Sequence, residues 1–259
     1  MFSYGVKMKI GIVGYGHVGK AMRELFTDAV VYDKYLGIGS KDEINGCNAV
    51  FVCVPTPSNP DGSCNTQAVE EVIAWAQADV IILRSTVYVG FTDEMMQKYG
   101  KEIVFQPEYY GETTAHPFAN LHERNWLSFG GRAKGIHLAI KAYQTVVNSN
   151  VRIYQADAKS VEMAKYMENA FFAVKVTFCN EMYDIANKLG ANYDLAREIW
   201  IADPRIGSSH TFVYDENRGY GGSCLPKDVA SIIYQADEVQ ADATLLKSIV
   251  KKNDILKKQ

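Results

Sequence analysis

Short apolar runs alternate with amphipathic stretches along the first 155 residues of the chain. Several amphipathic stretches place apolar residues at helical spacing, starting just after Gly19 and recurring near 68–77, 92–99 and 134–147. Alternating strands and helices imply right-handed crossovers, so we expect an α/β fold with a doubly wound parallel sheet. The predicted strands lie at 9–13, 30–33, 49–54, 80–83, 103–105, 126–129 and 151–154.

The pattern changes after Asp157. No proline or glycine interrupts the chain until Gly190, and apolar positions recur at helical spacing, which predicts one helix of about nine turns with Gly190 as its C-cap. Shorter helices are predicted at 194–201, 226–235 and 241–256, so residues 156–259 should form an all-helical domain around the long helix. We expect the aromatic side chains of the long helix to lie in the core: Tyr166, Phe171, Phe172 and Phe178.

Composition narrows the class of protein. A chain of 259 residues favours two domains, here 1–155 and 156–259. A net charge of -3 gives no electrostatic reason to expect nucleic acid or an anionic membrane as a partner. The cysteines are odd in number and lack the paired spacing of a zinc site, so we expect no metal and a chain of reduced thiols in the cytoplasm. They are Cys47, Cys53, Cys64, Cys179 and Cys224.

A glycine motif stands where the first strand gives way to the first helix. Gly14 permits a tight turn, Gly16 lets a pyrophosphate approach the backbone, and Gly19 allows the helix to pack closely on the strand. His17 and Val18 begin the helix, whose unpaired N–H groups can bind phosphate. The motif therefore predicts a Rossmann-type dinucleotide site.

Asp33 closes the second predicted strand about 20 residues after the first glycine, the separation typical of an acid that binds the ribose of NAD. A carboxylate there would repel the 2′-phosphate of NADP. The sequence therefore favours NAD, although the neighbouring Lys34 leaves NADP open.

Further motifs follow in a fixed order. They are Val54-Pro55-Thr56-Pro57, Ser85-Thr86-Val87, Pro107-Glu108 with Glu112, Lys165 with Asn169, Arg205-Ile206-Gly207, and the run from Gly219 to Asp228. With these motifs the chain resembles the UDP-glucose and GDP-mannose dehydrogenase family from about Met8 to its end. The resemblance implies NAD-dependent oxidation of a nucleotide-sugar C6 alcohol to a carboxylate in two hydride transfers. It also implies capture of the aldehyde on a cysteine, first as a thiohemiacetal and then as a thioester.

Cys224 is the nucleophile that the resemblance implies. It lies between a glycine-rich loop, which lets a sugar approach, and a helix predicted to begin near Pro226. The helix N-terminus and Lys227 should favour its thiolate form. Cys47, Cys53 and Cys179 are interpreted as buried thiols, and Cys64 is left open.

The resemblance assigns roles to residues on two predicted helices. Lys165 and Asn169 are four residues apart, so they share one face of the long helix. Lys165 is expected to stabilise the oxyanion, with Asn169 hydrogen-bonding beside it. Asp228, one turn beyond Cys224, is expected to position a proton or water near Lys165.

Thr86 and Glu112 resemble the pair that orders the hydrolytic water, with Glu112 as the general base. Tyr109, Tyr110 and Gly111 depart from the usual family pattern of an apolar pair and a polar or basic residue. The resemblance implies cofactor contacts from Val54, Thr56 and Thr86, and substrate contacts from Glu108, Glu112, Lys165, Asn169, Arg205, Gly221 and Lys227.

Two features bear on partners and turnover. Arg205 resembles an arginine that reaches a neighbouring subunit's substrate, which implies a homodimer formed through the helical domain. Family members continue into a third domain that holds the nucleotide, whereas this sequence ends at Gln259. We therefore expect impaired or partner-dependent activity, because remote binding energy orders the reacting end of a substrate.

Two other functions are compatible with the same residues. A single-hydride dehydrogenase of the β-hydroxyacid type also pairs a Rossmann domain with long helices and uses a helix-borne lysine and asparagine, but it has no need of Cys224. A non-catalytic NAD-binding protein would bind the cofactor without turnover.

Overall fold

The computed structural model describes residues 8–109 and 125–258. The chain divides into two compact units. The first comprises residues 1–57 and 64–165, and the second comprises residues 58–63 and 166–259.

The first unit is built on a seven-stranded sheet, and each of the seven predicted strands is found. The strand order is β2-β1-β3-β4-β5-β6-β7. The strands are β1 Ile10–Val13, β2 Val30–Tyr32, β3 Ala49–Val52, β4 Val80–Leu83, β5 Ile103–Phe105, β6 Trp126–Gly131 and β7 Arg152–Ala156.

The sheet is mostly parallel, as expected, and it contains one antiparallel pair that the sequence did not predict. β5 and β6 pair antiparallel, whereas β6 and β7 pair parallel. The last two strands and the helix α5 (Ala133–Tyr143) between them form a crossover unit that runs opposite to β1–β5. The apolar pattern of a strand is the same in either direction, so it could not show this reversal.

The central strands are buried on both faces. Every residue of β1, β3 and β4 is buried, as expected for strands covered by helices on each side. Alternate side chains enter two separate cores, so that Ile81 and Leu83 pack on one face while Ile82 packs on the other. This sandwich holds the carboxyl ends of the strands in place.

The helices of the structure follow the predicted ones, with one addition. A short helix, α2 (Lys41–Asn45), lies in the β2–β3 connection, where no helix was predicted. Ser40 caps it, since its hydroxyl accepts a hydrogen bond from the Glu43 backbone N–H at 3.3 Å. The others are α1 His17–Leu25, α3 Gln67–Trp75, α4 Phe91–Tyr99, α6 Ala158–Leu189, α7 Tyr193–Ile201, α8 Leu225–Glu238 and α9 Thr244–Leu256.

The long helix α6 has 32 residues and ends at Gly190, whose φ of 73° is the left-handed conformation of a C-cap. In the second unit, Ala173 of α6 packs with Tyr220, Val229 and Ile249 to form the core. Among the described residues, no helix combines the length and apolar character needed to cross a membrane.

The expectation that all four aromatic residues of α6 lie in the core is wrong for two of them. Tyr166 is buried, but Phe171 is 60% exposed and Phe178 is 48% exposed. Helical spacing shows that apolar residues share a face, but it does not show whether that face meets the chain's own core. Both residues belong to an exposed apolar stripe of α6, which comprises Met167, Phe171, Phe178, Met182, Ile185 and Leu189.

Candidate active site

The topology of the first unit marks where a ligand would bind. β1 and β3 are neighbours, and the connection after β1 runs to β2 on one side while the connection after β3 runs to β4 on the other side. In open α/β sheets, ligands bind beyond the carboxyl ends of the strands at such a switch point. The glycine motif follows β1, Val54 to Pro57 follows β3, and Ser85-Thr86 follows β4. These predicted cofactor residues therefore share one edge of the sheet.

The three glycines of the motif meet different constraints. Gly14 has a φ of 91°, and a Cβ there would lie 2.7 Å from the Cys53 carbonyl oxygen. A Cβ at Gly19 would lie 1.9 Å from the Gly14 carbonyl oxygen, so α1 can pack on the turn only without a side chain. At Gly16 a Cβ would meet no atom of the described chain within 4 Å. The open cradle at Gly16, beside the N-terminus of α1, fits a phosphate group.

Asp33 is fixed at the end of β2 by backbone donors. Its carboxylate accepts hydrogen bonds from the N–H groups of Tyr15 at 2.8 Å, Tyr35 at 2.9 Å and Leu36 at 3.0 Å. Slight burial raises the pKa of the Asp33 carboxyl, but these three donors outweigh it and hold the pKa below its usual value. The bond from Tyr15 joins Asp33 to the glycine turn, so the two predicted parts of the dinucleotide site are connected.

Lys34, next to Asp33, is engaged by another element of the first unit. Its ammonium pairs with Glu71 of α3 at 3.1 Å. The hydrogen bond from Lys34 to Glu71 raises the pKa of the lysine above its usual value.

The segments after β3 and β4 are joined to each other. The Ser85 hydroxyl donates a hydrogen bond of 2.6 Å to the Val54 carbonyl oxygen. Thr56 is buried, and the Cys64 thiol lies 3.6 Å from the Thr86 carbonyl oxygen. Val54, Thr56 and Thr86 therefore form a connected loop region at the edge of the sheet.

A buried cation that sequence reasoning missed stands just before Ser85. Arg84 is 2% exposed and forms an ion pair with Glu108, and it also donates to the carbonyl oxygen of Gln106 at 3.0 Å. Glu108, predicted to contact substrate, is thus engaged by a residue of its own unit. The available signal was the position of Arg84 directly after the apolar run of β4. A charged residue at such a buried position needs a partner of opposite charge, such as a carboxylate.

Lys165 lies on the part of α6 that belongs to the first unit. It is 8% exposed, and its Nζ lies 4.7 Å from the centroid of the Tyr109 ring. One turn earlier, the buried Glu162 accepts hydrogen bonds from the backbone N–H groups of Gly90 at 2.6 Å and Thr92 at 3.0 Å. Glu162 thereby caps the start of α4 and fixes the beginning of α6 against the sheet domain.

The second unit brings three predicted residues together. The Asn169 amide donates a 2.5 Å hydrogen bond to one oxygen of Asp228, and the Lys227 ammonium donates to the other oxygen at 2.5 Å. Asp228 is 2% exposed. Lys227 thus forms an ion pair with Asp228.

Cys224 is exposed and occupies the N-cap position of α8. The Ser223 hydroxyl lies 3.5 Å from its Sγ. The other cysteines are also thiols, and local burial raises the pKa of Cys53 to about 12, so that residue stays protonated at neutral pH. Cys47 and Cys179 are buried, as expected, whereas Cys53, like Cys64, is only partly buried and the prediction of a buried thiol is wrong there.

The glycine loop before Cys224 is held by two asparagines that sequence reasoning missed. Asn253 of α9 accepts a hydrogen bond from the Tyr220 N–H at 2.8 Å and donates to the Tyr220 carbonyl oxygen at 3.1 Å. Asn180 of α6 accepts from the Gly219 N–H at 3.2 Å. A polar residue among the apolar positions of α9, between Ile249 and Leu256, was the available signal. Gly221 is exposed further along the loop.

Arg205 pairs with a neighbouring residue of its own loop. Its side chain is 86% exposed and pairs with Asp203 at 2.5 Å. The following turn is anchored because the buried Lys175 donates to the carbonyl oxygens of Ile206 at 3.0 Å and Gly207 at 2.7 Å. The loop therefore presents Arg205 at the surface.

Glu112, predicted as the general base, lies outside the described residues. Within 8–109 and 125–258, the His, Cys, Asp and Glu side chains form no group of three that could hold a metal ion.

Two models of one protein family match most of the chain. Residues 24–117 match the UDP-glucose/GDP-mannose dehydrogenase family, NAD binding domain, and residues 159–255 match the central domain of the same family. The chain belongs to the UDP-glucose/GDP-mannose dehydrogenase family. The central-domain match includes Lys165, Asn169, Arg205 and Cys224, and the NAD-domain match includes Asp33 and Thr86.

Curated members of the family are longer than this chain. The UDP-glucose 6-dehydrogenase YwqF of Bacillus subtilis is 31% identical over 218 residues, which cover 79% of this chain and 48% of that protein. The chain therefore spans about half the length of the curated relatives it matches.

Two solved structures have the same fold. A UDP-glucose dehydrogenase from Pyrobaculum islandicum superposes with a TM-score of 0.83 at 20% identity, over 98% of this chain and 70% of that one. The 3-hydroxyisobutyrate dehydrogenase of Mycobacterium tuberculosis superposes with a TM-score of 0.68 at 17% identity, over 95% of this chain and 92% of that one.

Proposed function

We propose that this chain oxidises the C6 alcohol of a nucleotide sugar, such as UDP-glucose, to the uronic acid with NAD, and that Cys224 is the covalent nucleophile. The observation that carries the proposal is the position of Cys224. Its thiol is exposed at the N-terminus of α8, directly after a glycine loop and one turn before the buried Asp228. An accessible thiol at a helix N-terminus suits nucleophilic attack on a carbonyl.

The chemistry requires two hydride removals and one water. NAD supplies the hydride acceptor when it is bound. In the first oxidation the C6 hydroxyl loses its proton and the carbon loses a hydride, which leaves an aldehyde. The Cys224 sulfur then adds to the aldehyde carbon, and the carbonyl electron pair becomes an oxyanion that Lys165 stabilises, with Asn169 beside it.

Loss of the second hydride from the same carbon converts the thiohemiacetal into a thioester. Water attacks that carbonyl, the C–S bond breaks, and the sulfur leaves as the thiol with a proton while the carboxylate is released. We assign the ordering of this water to Thr86 and Glu112, with Glu112 taking its proton, and the positioning of a proton or water near Lys165 to Asp228.

The first unit supplies the proposed NAD site. Gly14, Gly16 and Gly19 with the first residues of α1, His17 and Val18, hold the pyrophosphate, and Asp33 accepts the ribose hydroxyls. The ion pair of Lys34 with Glu71 supports NAD over NADP, because it occupies the cation that could have met a 2′-phosphate. Val54, Thr56 and Thr86 complete the cofactor contacts.

We assign the substrate contacts to Glu108, Gly221 and Lys227 in addition to the catalytic residues. Arg205, exposed on its anchored loop, is assigned to the substrate of a second subunit. The apolar stripe of α6 supports a homodimer, since its members recur at spacings of three, four and seven residues along one helix face.

The identity of the nucleotide sugar and a cytoplasmic location are also part of the proposal.

The test is the number of NADH molecules formed per molecule of sugar oxidised. UDP-glucose, UDP-N-acetylhexosamines and GDP-mannose are supplied in turn to the unmodified chain, to Cys224→Ala and to Cys47→Ala, which removes a buried thiol of the first unit. The proposal expects two NADH per uronic acid, loss of that product in Cys224→Ala and its retention in Cys47→Ala. Equal rates with and without Cys224 exclude the thioester mechanism.

Two other functions predict different results. A single-hydride β-hydroxyacid dehydrogenase forms one NADH per product, and the fold shared with 3-hydroxyisobutyrate dehydrogenase keeps it as the second candidate. A non-catalytic NAD-binding protein binds NAD and oxidises none of these sugars.

A further inference from the structure

Lys165 is buried against an aromatic ring. Its ammonium lies 4.7 Å from the centroid of Tyr109, within the roughly 6 Å at which a cation is attracted to the face of a ring. Lys165 is 8% exposed and Tyr109 is 9% exposed. Because both groups are largely removed from water, the attraction between them is stronger than it would be at the surface.

The Tyr109 ring is itself held in place. It packs on Trp126 of β6, with ring centroids 4.7 Å apart and an interplanar angle of 56°. The preceding residue, Glu108, is fixed by the buried Arg84. Tyr109 is thus restrained through both its backbone and its side chain.

A cavity also borders the ring. A cavity of about 770 Å³ is bordered by Tyr109, Trp126 and Ala164, the neighbour of Lys165 on α6. A shorter aliphatic side chain at position 109 would let the flexible lysine side chain move toward that space.

We propose that Tyr109 is a positioning residue for Lys165. The face of its ring contacts the Lys165 ammonium at 4.7 Å and restricts its side chain to one direction. An apolar aliphatic residue at this position would provide no negative ring face. The expected effect on turnover rests on the proposed function, whereas the contact between ring and ammonium does not.

The first experiment changes the ring without changing its shape. Tyr109→Phe is followed by phenylalanines that carry one, two and three fluorines at position 109, since each fluorine weakens the negative face of the ring. Urea unfolding is measured in the unmodified chain and in Lys165→Met. We expect the unfolding equilibrium constant to rise stepwise with fluorine number, by about 2- to 30-fold in total, and to stay level in Lys165→Met.

A matched series at Phe91 is the control. Phe91 is buried in the same unit and packs edge-on against Tyr88. Fluorine at Phe91 should give the same change with and without Lys165→Met. Equal fluorine effects at position 109 in the two backgrounds would overturn the proposal.

The second experiment separates positioning from packing in catalysis. Tyr109→Phe should keep most of kcat, Tyr109→Leu should lower kcat about 2- to 30-fold with a smaller change in KM, and kcat should fall with fluorine number. Equal losses in the Phe and Leu variants, or a kcat that ignores the fluorines, would overturn a role in turnover. If Cys224→Ala remains active, the proposed function fails, while the unfolding series still decides on the Tyr109–Lys165 contact.

Discussion

The Asn169 side-chain amide donates a 2.5 Å hydrogen bond to the Asp228 carboxylate and so joins α6 to α8. Both residues are buried, with 5% and 2% of their surface exposed. A buried carboxylate must be satisfied on both oxygens, and here the second oxygen is taken by Lys227. The pair supports Cys224 by fixing the first turn of the helix that Cys224 begins.

Removal of this carboxylate should therefore destabilise the second unit. In Asp228→Ala the Asn169 amide loses this buried acceptor, and we expect the free energy of unfolding to fall by about 1–3 kcal/mol in urea denaturation. Asp237→Ala on the same helix is the control, because its pair with Lys247 is half exposed and should contribute only about 0–1 kcal/mol. Equal losses in the two variants would contradict a structural role for the buried pair.

The glycine motif allows binding to be separated from folding. Gly16→Ala adds a Cβ in open space, so the free energy of unfolding should change by less than about 1 kcal/mol while NAD binding, measured by calorimetry, weakens. Gly19→Ala places a Cβ 1.9 Å from a carbonyl oxygen and should cost about 1–3 kcal/mol or more. Unchanged NAD affinity in Gly16→Ala would count against the phosphate cradle.

Stability should depend on pH through Glu162. Burial raises the pKa of the Glu162 carboxyl above its usual 4.5, although hydrogen bonds from Thr92 and Gly90 act in the opposite direction. The folded chain then holds this proton longer than the unfolded chain does. The contribution of Glu162 to the free energy of unfolding is therefore largest at low pH and is lost as the pH rises from 4.5 through the folded-state pKa.

The free energy of unfolding of Glu162→Gln, minus that of the unmodified chain, should consequently increase as the pH rises from about 4 to about 7. The prediction concerns the change of this difference with pH and not its value at any one pH. Glu70→Gln is the opposite case. Hydrogen bonds from Lys98 and Tyr99 lower the pKa of the Glu70 carboxyl, so its stabilisation is present above 4.5 and is lost as the pH falls through the folded-state pKa. Urea denaturation across this pH range should give opposite slopes for the two variants, and slopes of the same sign would contradict the assignment.

The apolar stripe of α6 predicts self-association. Phe171→Glu places a charge at a residue that is 60% exposed in the single chain and should weaken the dimer by about 2 kcal/mol or more, as measured by sedimentation velocity. Leu245→Glu on α9 is matched in exposure, at 64%, but lies outside the stripe and should leave the dimer unchanged. A chain that is monomeric before any substitution would refute the proposed homodimer.

Most elements of the fold could be predicted because they depend on local pattern. The strands from β1 to β7 and the long helix α6 follow from the length and spacing of their apolar residues, and Gly190 ends α6 because glycine adopts the required φ of 73°. The antiparallel pairing of β5 with β6 could not be predicted, since an apolar run carries no direction. The exposure of Phe171 and Phe178 could not be predicted either, because helical spacing shows which residues share a face but not whether that face meets the core.

The sequence by itself determined the chemical inventory: the glycine turn with Asp33, the helix-borne Lys165 and Asn169, and Cys224 ahead of a helix. It could do so because each depends on residue types at fixed separations along the chain. Only the tertiary structure decided which partners hold these groups. Arg84 on Glu108, Tyr109 on Lys165, and Asn253 on the glycine loop join residues that are 24, 56 and 33 positions apart. Such contacts form only when the chain packs, because burial forces each polar group to find whichever partner the fold brings to it.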